Sequence, residues 1–221
     1  MDNYSHILFD FDGTLFDTAP GIYQSMQHVC NYYKLPYGET EFKKMIGPSL
    51  KESFTTIFHL PESEVPKAID VYREYYSVKG MFECNPYPGV FELIEKLRNI
   101  NKKILVATSK PEVYTKEILK RKGKLDLFDF VAGADLGEQK RYEKIHVLEY
   151  LLDENNLHDK KSNCLMIGDR KYDVNGAHMA GIKCAGILWG FGNRQEFEEC
   201  SADYILETPD DVWKLLNNNF I

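Results

Sequence analysis

Two aspartates flanking one phenylalanine, Asp10 and Asp12, stand where the chain's first apolar run ends, in Ile7-Leu8-Phe9-Asp10-Phe11-Asp12-Gly13-Thr14. A short apolar run broken by glycine reads as a buried strand entering a turn. Like charges this close are unfavourable unless a cation or a shared proton offsets them, so the mouth of this strand calls for a cation. A second run ends the same way: Leu165-Met166-Ile167-Gly168 leads into Asp169, with Asp173 four residues on. If the two strands are neighbours, Asp10, Asp12, Asp169 and Asp173 converge on one spot. Three or four carboxylates with room for water suit Mg²⁺, a hard cation that keeps part of its hydration shell. No Cys/His set with zinc spacing competes, and the six dispersed histidines read as structural or surface residues.

Such a site needs a scaffold that brings strand ends together. Further apolar runs at residues 103–108, 128–132, 164–168, 184–189 and 203–206 resemble the first. Helical patterns lie between most of them: Val90, Leu93, Ile94 and Leu97; Val113, Ile118 and Leu119; Ile145, Leu148, Leu151 and Leu152. Strand and helix alternating at this spacing predicts a parallel sheet wound with helices, an α/β fold. Residues 16–85 break the rhythm, with helical stripes at Ile22, Met26, Val29 and Tyr33, at Leu50, Phe54 and Ile57, and at Val65, Ile69, Tyr72 and Tyr76. The expected organisation is an α/β core from residues 1–15 and 86–221 with an all-helical insertion over 16–85. An insertion placed there is expected to hang over the carboxyl end of the first strand, where open α/β sheets bind ligands.

Composition narrows the function. The 221 residues hold 43% hydrophobic and 28% charged residues, with 34 acidic against 27 basic side chains and a net charge of −7. No Lys/Arg cluster tracks a phosphate backbone, so nucleic acid is not an expected partner. No apolar stretch approaches the length needed to span a bilayer. The first residues lack the features of a signal peptide. The five scattered cysteines form no C-x-x-C and read as free thiols in a reducing cytoplasm. A monomer or a small homo-oligomer is expected.

Four segments together resemble the haloacid dehalogenase-like superfamily of phosphotransferases. Asp10-Phe11-Asp12-Gly13-Thr14 matches its first motif, Thr108 after Ile104-Leu105-Val106-Ala107 its second, a lysine opening a helix its third, and Gly168-Asp169-Arg170-Lys171-Tyr172-Asp173 its fourth. For the third, Lys140, Arg141 and Lys144 all lie near the helix start, and Lys144-Ile145-His146-Val147-Leu148-Glu149-Tyr150 fits best. The helical insertion is similar to the family's C1-type cap, so the resemblance covers essentially the whole chain and implies a Rossmann-like core. It implies that Asp10 is a nucleophile forming an aspartyl-phosphate and that Asp12 is a general acid and base. It also implies that Asp10, the Asp12 main-chain carbonyl, Asp169 and Asp173 surround Mg²⁺, while Thr108, Ser109 and Lys144 bind the transferring phosphoryl group.

The acid at Asp12 distinguishes branches of that superfamily, because a halide leaving group needs no proton and an alkoxide does. Phosphate-ester hydrolysis is therefore expected over dehalogenation. Ile46-Gly47-Pro48-Ser49-Leu50, Ala107-Thr108-Ser109-Lys110-Pro111 and Trp189-Gly190-Phe191-Gly192 look like the phosphoglycolate phosphatase-like branch. Lys51 and Arg170 are candidate anion contacts. The expected substrate is a small phosphorylated metabolite such as phosphoglycolate. A 5′-nucleotidase or a phosphomutase is the alternative within the superfamily, and a binding protein without turnover the alternative outside catalysis.

Overall fold

The computed structural model describes residues 4–137 and 140–217. The main sheet contains β1 (His6–Phe9), β4 (Lys103–Pro111), β5 (Phe130–Ala134), β6 (Cys164–Gly168), β7 (Lys183–Ile187) and β8 (Tyr204–Leu206). Two short strands, β2 (Phe16–Asp17) and β3 (Asn85–Pro86), pair as a separate sheet. Helices α1 (Ala19–Tyr33), α2 (Glu39–Lys44), α3 (Leu50–Thr56) and α4 (Val65–Tyr76) lie between them in sequence. After β3 come α5 (Val90–Asn99), α6 (Glu112–Arg121), α7 (Lys144–Glu154), α8 (Lys171–Met179), α9 (Arg194–Glu199) and α10 (Pro209–Leu216). The chain divides into two compact units, Met1–Phe16 with Pro86–Ile221, and Asp17–Asn85.

In the larger unit the strand order is β5-β4-β1-β6-β7-β8, with each neighbouring pair parallel. Central parallel strands are covered on both faces and so read as continuous apolar runs. Accordingly Ile7, Leu8 and Phe9 of β1, and every residue of β6, are buried. Leu8, Leu105 and Met166 on one face of the sheet pack with Leu148 and Leu151 of α7 and Val174 of α8 in a single core cluster. The order reverses at β1, whose neighbours β4 and β6 are far apart in sequence. Open α/β sheets bind ligands outside the carboxyl ends of strands at such a reversal.

The smaller unit is all-helical apart from its end residues. Met26, Val29 and Cys30 of α1 and Val65, Ala68, Val71 and Tyr72 of α4 are buried, and Tyr72 and Tyr76 stack at 5.2 Å. Helix α2 is absent from the sequence-based expectation because it buries only Phe42, and one apolar residue makes no periodic stripe. The Glu41 carboxylate defines its start by accepting the Gly38 N–H at 3.0 Å.

Two other expectations are corrected in the larger unit. Val113 is 55% exposed, since α6 turns Thr115, Ile118 and Leu119 inward. A residue five positions before Ile118 lies off that stripe. Strand β5 starts at Phe130 rather than at residue 128, because a short 3₁₀ turn over Leu125–Leu127 uses the Phe128 N–H.

Candidate active site

Asp10 leaves the end of β1 with its N–H donated to the Ile167 carbonyl of β6 at 2.9 Å. Asp169 leaves the end of β6, and Asp173 lies in the first turn of α8. One carboxylate oxygen from each of Asp10, Asp169 and Asp173 lies within 4.8 Å of the other two, and all three side chains are buried. The parallel register that pairs Phe9 with Ile167 brings Asp10, one residue beyond Phe9, and Asp169, two beyond Ile167, out at the same edge of the sheet.

Lys144 opens α7 and is buried among these acids. Its Nζ donates to Asp10 Oδ1 at 2.7 Å and to the Ala107 carbonyl at 2.8 Å, and it pairs with Asp173 Oδ1 at 2.7 Å. The other two cations near that helix start go elsewhere. The main-chain N–H groups of Lys140 and Arg141 donate to Asp135, and the Arg141 guanidinium lies 3.9 Å over the Tyr150 ring. Of the candidate anion contacts, Arg170 pairs with Glu196 at 3.0 Å and Lys51 is exposed.

Asp169 is held tightly. Its Oδ2 accepts the Phe191 N–H at 2.8 Å and its Oδ1 accepts the Thr14 hydroxyl at 3.4 Å. Two glycines make room for it. A Cβ on Gly13 would stand 2.0 Å from Asp169 Oδ2, and the φ of +81° there already favours glycine. A Cβ on Gly190 would stand 2.3 Å from the Asp169 Cβ.

Asp12 and Thr108 complete the rim. The Asp12 carboxylate does not join the acid cluster but accepts from Lys110 Nζ at 2.8 Å. Thr108, in β4, is buried and its hydroxyl oxygen accepts the Lys110 N–H at 3.1 Å. Ser109 between them is exposed and joins none of these contacts. Lys110 is the residue of this site that sequence reasoning missed. Its signal was the two-residue spacing from Thr108, which in a strand puts both side chains on one face.

Three buried carboxylates around one ammonium leave excess negative charge. Burial raises the pKa of Asp10 from 3.8 to about 7, with Asp173 and Asp12 adding to the effect and Lys144 opposing it. Burial likewise pushes Asp169 well above the usual carboxylate range, helped by Asp173 and Asp10. Burial alone would lower the Lys144 pKa, but Asp10 and Asp173 more than reverse this and keep it an ammonium. A compact, all-oxygen donor set with unneutralised charge matches a small hard cation, and Mg²⁺ fits these residues.

This geometry agrees with the comparisons. The family model described as haloacid dehalogenase-like hydrolase matches residues 7–187. A 5′-nucleotidase of Pseudomonas aeruginosa is 35% identical over 196 residues, which cover 87% of this chain and 86% of that protein. Tyrosine-protein kinase PtkA of Mycobacterium tuberculosis is 33% identical over 207 residues, 93% of this chain and 67% of that one. The crystal structure of a predicted phosphatase from Clostridium acetobutylicum superposes with a TM-score of 0.91 at 35% identity, covering 97% of this chain and 99% of the other. A parallel α/β core carrying acids at the ends of β1 and β6 defines a class of hydrolase. The chain belongs to the haloacid dehalogenase-like hydrolase family.

Proposed function

We propose that this protein hydrolyses a small phosphomonoester, with Mg²⁺, through a covalent aspartyl-phosphate on Asp10. The observation that carries the reading is the position of Asp10, at the end of β1 with Lys144 on one oxygen and Asp169 beside it. The Asp10 carboxylate attacks phosphorus, and the bond from phosphorus to the ester oxygen breaks. Asp12 gives its proton to that departing oxygen. Water then attacks the phosphorus of the aspartyl-phosphate while Asp12 takes back a proton, which releases inorganic phosphate and restores Asp10. Lys144 and Thr108 bind phosphoryl oxygens, where negative charge gathers in the transition state.

Asp10, the Asp12 main-chain carbonyl, Asp169 and Asp173 would hold Mg²⁺. When bound it neutralises phosphoryl charge and keeps the buried acids ionised. We assign choice of substrate to the helical unit, residues 17–85. Phosphoglycolate and similar metabolites are the first reading of that substrate. The 35% identity to a protein named 5′-nucleotidase supports nucleoside 5′-monophosphates as the second. A relative named a kinase fits the same covalent logic, because a phosphoryl group on Asp10 can pass to an acceptor other than water.

The test is phosphate release from 2-phosphoglycolate, nucleoside 5′-monophosphates, sugar phosphates and pyrophosphate, with Mg²⁺ and with EDTA. Metal-dependent release from one group names the substrate class. Folded, Mg²⁺-binding protein that releases phosphate from none of them would contradict the reading.

A further inference from the structure

Lys110 is nearly as deeply buried as Lys144, yet it stands outside the acid cluster. Its side chain is 5% exposed, while that of its partner Asp12 is 22% exposed. The lysine is the group that gives up hydration to make this contact, which is costly unless the pairing achieves something further.

The backbone is shaped for the contact. Thr108 pairs with Gly133 of β5 and Pro111 with Ala134, so the register of β4 shifts between Thr108 and Pro111. Bulges of this kind re-aim side chains beside active sites. Here Ser109 is turned outward and Lys110 inward. The Lys110 N–H is secured on the Thr108 hydroxyl, and Nζ passes 5.8 Å over the Phe11 ring to reach Asp12 Oδ1.

We propose that Lys110 is a positioning residue that fixes the Asp12 carboxylate for proton delivery to the leaving group. This rests on the reading of Asp12 as the acid. A carboxyl group rotates readily about its last torsion, which has broad minima, whereas proton transfer demands a donor within about 3 Å of the departing oxygen. The Lys110 ammonium holds Oδ1 as an acceptor. A proton on Oδ1 would face an N–H donor, so the transferable proton is carried on Oδ2. Lys110 therefore sets both the plane of the carboxyl group and the oxygen that delivers the proton.

The consequence is a dependence on leaving group that a merely structural lysine would not produce. kcat/KM is measured for a series from alkyl phosphates to dinitrophenyl phosphate, in the wild type and the Lys110→Met, Lys110→Arg and Asp12→Asn variants. Thermal unfolding and Mg²⁺ binding check that each variant is folded. Lys110→Met is expected to lose about 100-fold on alkyl phosphates and no more than about threefold on dinitrophenyl phosphate, whose leaving group departs without a proton. Lys110→Arg, which keeps a donor on Oδ1, is expected to recover most of the alkyl activity. A uniform loss across the series in Lys110→Met, or none, while Asp12→Asn is selectively slow on alkyl phosphates, would overturn this inference alone. If Asp12→Asn shows no such selectivity, the acid assignment falls and the inference with it.

Discussion

Asp10, Asp169 and Asp173 are buried together, with the Lys144 ammonium paired to two of them, and that excess of acid has a measurable sign. The Asp10 pKa, about 7 in the folded protein, lies above its ordinary 3.8, and Asp169 shifts the same way. Between those values the folded chain binds more protons than the unfolded one. The contribution of these groups is therefore fully present below about pH 4 and is lost as pH rises through about 7. Metal-free protein is expected to show a falling thermal midpoint over that range, and Mg²⁺ should raise the midpoint more at about pH 8 than at about pH 5. Thermal scans with and without metal check this, and an equal Mg²⁺ effect at both pH values would count against it. At this scale the acids were legible, because each ends an apolar run. Lys144 could not be told from Lys140 and Arg141 by spacing alone, since all three precede or open one helix. The contact of Nζ with Asp10 sets Lys144 apart.

Elements convert those residues into a site. The turn after β1 succeeds because Gly13 adopts φ +81° and leaves Asp169 room, while its N–H reaches the Phe16 carbonyl at 2.8 Å. Gly13→Ala is expected to lower stability by about 1–3 kcal/mol through the strained backbone and to weaken Mg²⁺ binding by moving Asp169. Denaturant unfolding and metal titration measure the two effects separately; unchanged Mg²⁺ affinity would mean that the turn does not position this acid. Runs such as Ile7-Leu8-Phe9 and Cys164-Leu165-Met166-Ile167 were readable as strands because both faces are covered. The register shift of β4 was not, because a bulge depends on how β5 pairs with it. Helix α2 escaped notice because Phe42 is its one buried residue.

Across the whole molecule, strand order matters more than any single element. Placing β1 between β4 and β6 gathers Asp10, Thr108 and Asp169 from positions spread over some three-quarters of the chain. Alternating strand and helix patterns made the α/β class legible, and acids at two strand ends indicated which strands had to be neighbours. The family match over residues 7–187 supports the same arrangement. Among the described residues, no helix is long and apolar enough to cross a membrane. Substrate choice was not legible, since it depends on side chains whose partners are set only by folding. The proposed passage of the phosphoryl group through Asp10 uses residues that this strand order gathers. It is tested by acid-quenching the enzyme during turnover of its fastest substrate, then locating phosphate by peptide mass spectrometry. One phosphoryl group is expected on the peptide containing Asp10, absent from a folded Asp10→Asn variant that has also lost at least about 10⁴-fold in turnover. Undiminished turnover in that variant, or phosphate carried on another residue, would contradict it.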